Sequence, residues 1–197
     1  MQPLPYENAG AKAVFIGLFA IWVAAELRVR FRSRRNQQGT TAEWGSVVAI
    51  IVSFGLGAAL GFHAASHAES AAIEFARRPI FILGALVMAA GIAFRQWAIA
   101  VLGIYFTAEV RVSESQTVVE GGPYRWLAHP SYTGIIVTLV GVGLMLGNWI
   151  SLVALTVLPT LGLVVRIKVE ERALVAGIGE PYRRFLAGRS RLIPGVW

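Results

Sequence analysis

The chain contains no cysteine. Disulfides, thiolate nucleophiles and cysteine-ligated metals are therefore excluded. Charge is also scarce: 15% of residues are Asp, Glu, Lys or Arg, against about 25% in soluble domains. Acids are the scarcer sign, 11 against 18 Lys and Arg. Met1 to Gly10 holds no basic n-region, and no small-residue cleavage site follows the first apolar run, so the layout of a signal peptide is missing. No Ser-His-Asp order, phosphate-binding loop or zinc spacing is present. His63 and His67 stand four apart, but Glu69 is the single nearby candidate for a third ligand, so no metal site is expected.

What is abundant is apolar surface. The 197 residues are 56% hydrophobic, with a mean hydropathy of +0.62. One small core cannot hide that much, which makes the bilayer the expected solvent. The chain reads as one all-α integral membrane domain, 1–197, with five transmembrane helices. The first runs from about Ala9 to Leu27, the second from Trp44 to Ala65, and the third from Pro79 on towards Phe106. The fourth, Pro130 to Leu146, and the fifth, Trp149 to Val165, form a hairpin around Gly147-Asn148. Gly57 and Gly61, and again Gly143 and Gly147, have the spacing that lets helices approach closely. Pro159 is expected to kink the fifth span. A charged tail follows, helical from Arg166 to about Ala176, broken at Gly177 to Gly179 and helical again from Pro181 to Gly188.

The net charge of +7 sits in short segments between apolar spans. That pattern fits membrane orientation and anionic lipid headgroups rather than nucleic acid. With five spans, every Lys and Arg except Lys12, Arg77 and Arg78 falls on one side. The N-terminus is then outside and the C-terminus cytoplasmic. Arg95 and Gln96 are expected at or beyond the interface, with Arg95 snorkelling. Glu109 to Gly122 reads as an extended excursion at the membrane surface.

One dense polar and aromatic stretch interrupts the apolar spans: Gly122-Pro123-Tyr124-Arg125-Trp126-Leu127-Ala128-His129-Pro130-Ser131-Tyr132-Thr133-Gly134. Pro130 suits the first position of a helix and holds His129 out of helical angles. The N–H groups of Ser131 and Tyr132 would then face a ligand, with the helix dipole favouring an anion. Arg166 and Glu170 share a helix face; they are either an ordinary i,i+4 ion pair or two orienting groups above a cavity. Glu171 points about 100° away and reads as solvated. His129 reads equally as a satisfied interfacial histidine, and Tyr124, Trp126 and Tyr132 as a headgroup belt. These signals alone describe a polytopic protein with a polar site on its cytoplasmic side.

The same stretch resembles the isoprenylcysteine carboxyl methyltransferase family and its bacterial relatives. So do Leu146-Gly147-Asn148-Trp149, Arg166-Ile167 with Glu170-Glu171, Gly179-Glu180-Pro181-Tyr182 and Arg191-Leu192-Ile193-Pro194. Upstream, Phe94-Arg95-Gln96-Trp97-Ala98 is similar to the bacterial members. The likeness covers about residues 80–197, in order. It implies a membrane methyltransferase that uses S-adenosyl-L-methionine, releases S-adenosyl-L-homocysteine and acts on a lipophilic methyl acceptor, of which a prenylcysteine-like carboxylate is the leading candidate. Residues 79–197 would be the cofactor-binding core, with the C-terminal helices as a cap, and 1–78 the two N-terminal spans. Carried over residue by residue, the cofactor contacts would be Gln116, Thr117, Val118, Val119, Tyr124, His129, Pro130, Ser131, Tyr132 and Glu170. Arg166 would orient the acceptor's carboxylate. The family usually has Arg directly before the His-Pro pair, where this chain has Ala128, and His where it has Gln116. The same likeness leaves open a phospholipid or small hydrophobic molecule as the acceptor. A non-enzymatic lipid-binding or transport protein is the alternative of another class.

Overall fold

A computed structural model describes residues 2–35, 44–106 and 118–197. Among the described residues seven α-helices follow in order: α1 Leu4–Glu7, α2 Ala9–Arg35, α3 Trp44–His67, α4 Arg77–Leu102, α5 Pro130–Leu146, α6 Trp149–Ile178 and α7 Glu180–Ala187. Among the described residues there is no β-strand, only two isolated bridges. Of the described helices four, α2, α3, α4 and α6, are long and apolar enough to cross a membrane. α5 is apolar but has 17 residues, about 26 Å, against a hydrocarbon core of about 30 Å.

Local chemistry sets the helix ends. The Ala11 N–H donates to the Asn8 side chain at 2.9 Å, capping α2. α4 starts two residues before Pro79, which still leaves the proline in the first turn, where a missing N–H goes unnoticed. It stops at Leu102 rather than running on to Phe106, because Gly103 takes φ +60 there. α6 does not break at Gly177. It continues for 30 residues to Ile178, about 45 Å, and Gly179 at φ +79 ends it. Pro159 lies inside α6 without interrupting it.

Small residues bring the helices together. A Cβ on Gly61 of α3 would lie 2.7 Å from Leu155 of α6, and the Ser151 hydroxyl donates to the Gly61 carbonyl at 2.7 Å across the same seam. Gly143 meets Leu152 of α6 in the α5–α6 hairpin, but Gly147 has open space and acts instead as a left-handed helix end. The closest crossing, α4 on α5, was not anticipated. A Cβ on Gly84 would meet the Met145 nitrogen at 2.7 Å, and one on Gly134 would meet Arg95 Cβ at 2.6 Å. Met88, Val142, Met145 and Leu146 fill the core beside this crossing.

The two ends of the bundle differ. At one end Asn148 donates to the Ala68 carbonyl at 2.9 Å, Ile73 N–H donates to Gly147, and Arg77 pairs with Glu7. His63 and His67 are exposed and stack on each other at 4.3 Å. No group of three possible metal ligands exists among the described residues. The other end gathers Arg95, the His129-Pro130 junction and the tail.

Candidate active site

The site is built on the first turn of α5. His129 is its N-cap residue, with φ −127 and ψ 56, and Pro130 is the first helical residue. The Tyr132 N–H bonds back to the His129 carbonyl at 3.0 Å. This corrects the expectation that it faces a ligand: the first turn closes on itself. The His129 ring, 5% exposed, lies 5.8 Å from the Tyr132 ring. Its Nε2 sits 3.2 Å from Glu171 Oε1, and Arg191 Nε is 2.9 Å from the same oxygen. Glu171 is therefore not solvated: the tail folds back and encloses it. The Ala128 N–H donates to Ser190 at 2.8 Å, His129 N–H to Arg191 at 3.0 Å, and the Thr133 hydroxyl to Leu192 at 2.8 Å.

α6 supplies the facing wall. The Tyr132 hydroxyl donates to Glu170 Oε2 at 2.7 Å. Arg166, one turn earlier and 3% exposed, donates to the Ser46 hydroxyl of α3 at 2.8 Å. α4 supplies Arg95, which is 6% exposed. Arg95 does not snorkel to the interface, because Glu26 of α2 pairs with it at 2.8 Å through Nη2 and it donates to the Ser131 carbonyl at 3.2 Å.

These groups surround one cavity of about 610 Å³, within the range of small-molecule sites. Its outer end is aromatic and aliphatic, with Val118, Val119, Tyr124, Ala128, Ile178 and Tyr182. The phenols of Tyr124 and Tyr182 are held well above their usual pKa, first by burial and then by the Glu170 carboxylate. The inner end is apolar, with Phe19, Trp22, Ile51, Phe54, Ile135 and Leu163. Between them lie Glu26, Arg95, Ser131, Tyr132, Arg166 and Glu170. An apolar, aromatic box with a carboxylate at its inner edge suits a flat heterocycle carrying a cationic tail. A buried arginine beyond it, opening on apolar walls, suits an acid on a greasy chain.

The sequence profile of the isoprenylcysteine carboxyl methyltransferase (ICMT) family matches residues 82–176. An uncharacterised Bacillus subtilis protein, YpbQ, is 30% identical over 80 residues, 41% of this chain and 48% of that protein. Protein-S-isoprenylcysteine O-methyltransferase of Xenopus laevis is 31% identical over 106 residues, 53% of this chain and 37% of that protein. A solved structure of the eukaryotic intramembrane Ras methyltransferase ICMT superposes with a TM-score of 0.60 at 20% identity, covering 93% of this chain and 68% of the other. The profile match covers just under half of this chain, and the superposition shows that the two proteins share a fold. The chain spans less than half the length of the two curated relatives named above.

Within this ICMT-like fold, eight of the sequence-predicted site residues line the same cavity: Val118, Val119, Tyr124, His129, Ser131, Tyr132, Arg166 and Glu170. Pro130 is buried beneath it as the helix start. Gln116 and Thr117 lie outside the described residues. Sequence reasoning missed Glu26, Ser46, Tyr182 and the inward course of Arg95. Glu26 and Arg95 carried a usable signal: each is a charge embedded in an apolar helix, and such charges mark sites by default. Ser46 and Tyr182 carried none that distinguishes them from ordinary helix residues.

Proposed function

We propose that this chain is an integral-membrane methyltransferase that moves a methyl group from S-adenosyl-L-methionine to the carboxylate of a lipophilic, prenylcysteine-like acceptor. The observation that carries this reading is one cavity with an aromatic, carboxylate-edged end and an apolar end, with buried Arg166 between them. The family-profile match and the name of the Xenopus laevis relative point the same way. α5 is the fourth of five spans in this reading, made long enough by the polar junction before it. The N-terminus is outside and the cavity's polar end cytoplasmic, in line with the basic residues gathered there. Residues 79–197 form the cofactor-binding core, and the two N-terminal spans wall the acceptor side.

The cavity's residues fit the cofactor. Val118, Val119, Tyr124 and Tyr182 would hold its base and sugar, His129 to Tyr132 would close one side, and Glu170 would hold its ammonium group. When bound, S-adenosylmethionine supplies an electrophilic methyl group on a sulfonium. An acceptor that is already an anion then needs alignment more than a proton acceptor. Arg166 provides that alignment: its planar fork keeps the acceptor carboxyl ionised and fixes its angle. The apolar inner walls take the acceptor's chain and keep water from the reacting oxygen.

Calorimetric titration of the detergent-solubilised, folded protein with S-adenosylhomocysteine tests the cofactor half of this reading. Saturable binding at one site per chain is expected; absence of binding refutes it.

A further inference from the structure

One side chain that does not itself line the cavity joins the segments that wall its outer end. Arg189 follows α7 and places each guanidinium nitrogen on a different partner. Nε donates to the Tyr124 carbonyl at 2.7 Å, Nη1 to the Phe185 carbonyl at 3.1 Å and Nη2 to the Glu120 carboxylate at 2.6 Å. The guanidinium also lies over the Phe185 ring, 4.3 Å from its centre, as a cation–π contact. The Phe185 carbonyl belongs to the last turn of α7, where carbonyls lack helical partners and a nearby arginine can serve them.

Those partners carry the outer chamber. Glu120 directly follows Val118 and Val119, Tyr124 lies in the single-turn helix Gly122–Arg125, and Tyr182 and Phe185 come from α7. All except Glu120 line the cavity. Tyr124, Tyr182 and Phe185 pack in one buried cluster. Apolar packing draws such a cluster together but has no direction, whereas the rigid fork of an arginine fixes its partners at set angles. The Arg189 side chain is 15% accessible and that of Glu120 61%. The ion pair is therefore screened, and the two carbonyl bonds hold the position. The residues after Arg189 make bonds of their own: the Ser190 and Arg191 carbonyls accept from Ala128 and His129, and the Leu192 carbonyl from Thr133. None of these uses the Arg189 side chain. Removing that side chain loosens the outer chamber and leaves the α5 junction and the acceptor end in place.

We propose that Arg189 is a positioning residue for the cofactor: by fixing the Tyr124 wall to the α7 wall it sets the width of the chamber that takes the base and sugar. The inference rests on the proposed S-adenosylmethionine site. It adds to that site a residue beyond 82–176, the stretch that carries the family match. Glu170 and Arg189 then divide the cofactor between them. The Glu170 carboxylate holds the amino-acid tail, and Arg189, acting through the walls, holds the nucleoside.

Calorimetry with two probes tests this: S-adenosylhomocysteine, which has nucleoside and tail, and methylthioadenosine, which has the nucleoside without the tail. Arg189→Gln should weaken both at least tenfold, as the loss of bonds from a charged donor implies, whereas Glu170→Gln should weaken S-adenosylhomocysteine alone. In methyl transfer to S-prenyl N-acetylcysteine, Arg189→Gln should raise KM for S-adenosylmethionine at least tenfold and leave kcat and the acceptor's KM within about threefold. A merely structural residue would lower the active fraction, so that kcat falls at unchanged KM, and that result overturns the assignment. Native affinity for both probes in Arg189→Gln overturns it as well. Glu120→Gln should stay within about threefold of the native protein; a loss as large as that of Arg189→Gln would place the effect in the ion pair and overturn the role of the carbonyl bonds. If Arg189→Gln does not fold, Arg189→Lys tests the same claim, since an ammonium keeps the charge beside Glu120 but lacks the fork. KM for S-adenosylmethionine should then rise at least threefold at unchanged kcat, and an unmoved KM overturns the assignment. Failure of the native protein to bind S-adenosylhomocysteine removes the proposed cofactor site and this inference together. Native binding with unmoved variants removes this inference alone.

Discussion

The Tyr132 hydroxyl donates to the Glu170 carboxylate at 2.7 Å. This bond ties the first turn of α5 to α6 and fixes one carboxylate oxygen, leaving the rest of the group for a ligand's cation. Glu170→Gln should weaken S-adenosylhomocysteine binding at least tenfold, the loss of a charge-assisted bond of about 1.5–3 kcal/mol. Tyr132→Phe should weaken it less, because the charge stays and only its orientation is relaxed. Calorimetry on both variants checks the order, and equal affinity in Glu170→Gln and the native protein contradicts the role given to Glu170.

Arg166 belongs to the acceptor side of the cavity. Arg166→Ala should retain S-adenosylhomocysteine binding within about threefold and lose methyl transfer by at least a hundredfold, the equivalent of roughly 2.7 kcal/mol. Arg166→Lys should restore only part of it, since an ammonium lacks the planar fork. Turnover unchanged in Arg166→Ala would reassign the residue to structure.

The α4–α5 crossing depends on hydrogen in place of a side chain. A Cβ on Gly84 would lie 2.7 Å from the Met145 backbone nitrogen and 2.8 Å from the Gly141 oxygen. Backbone cannot swing aside, so Gly84→Ala should destabilise by about 1–3 kcal/mol. Gly55→Ala, with nothing within 4 Å, should be neutral or slightly stabilising because alanine is the better helix former. Thermal unfolding in detergent measures the difference, and equal midpoints for the two variants would show that the crossing is loose.

Alkaline pH should loosen the outer end of the cavity. Tyr182 and Tyr124 have folded-state pKa values raised by burial and by Glu170. A raised value means that their contribution to stability is fully present below about pH 10, the unfolded value, and is lost as pH climbs from there towards the folded values. The unfolding midpoint should fall more steeply above about pH 10 in the native protein than in Tyr182→Phe. Parallel curves would remove Tyr182 from that account.

Much of the bundle and the polar face of the site was legible in the sequence, for physical reasons. Apolar runs of about 20 residues have one use in a chain with so little charge. His129-Pro130 and Gly147-Asn148 are stops and starts that the backbone itself dictates. Gly57 and Gly61 lie on α3 where a short spacing is easily seen. The α4–α5 crossing was hidden because Gly84, Gly91, Gly134 and Gly141 are spaced at two turns on separate helices, and which helices meet is a long-range property. Glu171 was misread because its partners, His129 and Arg191, are distant in sequence. Arg95 looked interfacial because an arginine near a helix end usually is; its burial depends on Glu26, 69 residues earlier. The outer wall was anticipated through Tyr124 and Glu170. The N-terminal contribution of Glu26 and Ser46 was not: Glu26 is marked as a charge in an apolar helix, but its partner Arg95 is distant in sequence, and nothing local marks Ser46 as a partner of Arg166.

Transfer of label from methyl-labelled S-adenosylmethionine to an S-prenyl N-acetylcysteine, by the purified protein in lipid nanodiscs, tests the central claim most directly. The account predicts label in an apolar product that mild base releases as a volatile alcohol, the signature of a methyl ester, and its loss in Arg166→Ala. A folded protein that binds S-adenosylhomocysteine but labels no carboxyl group would contradict it.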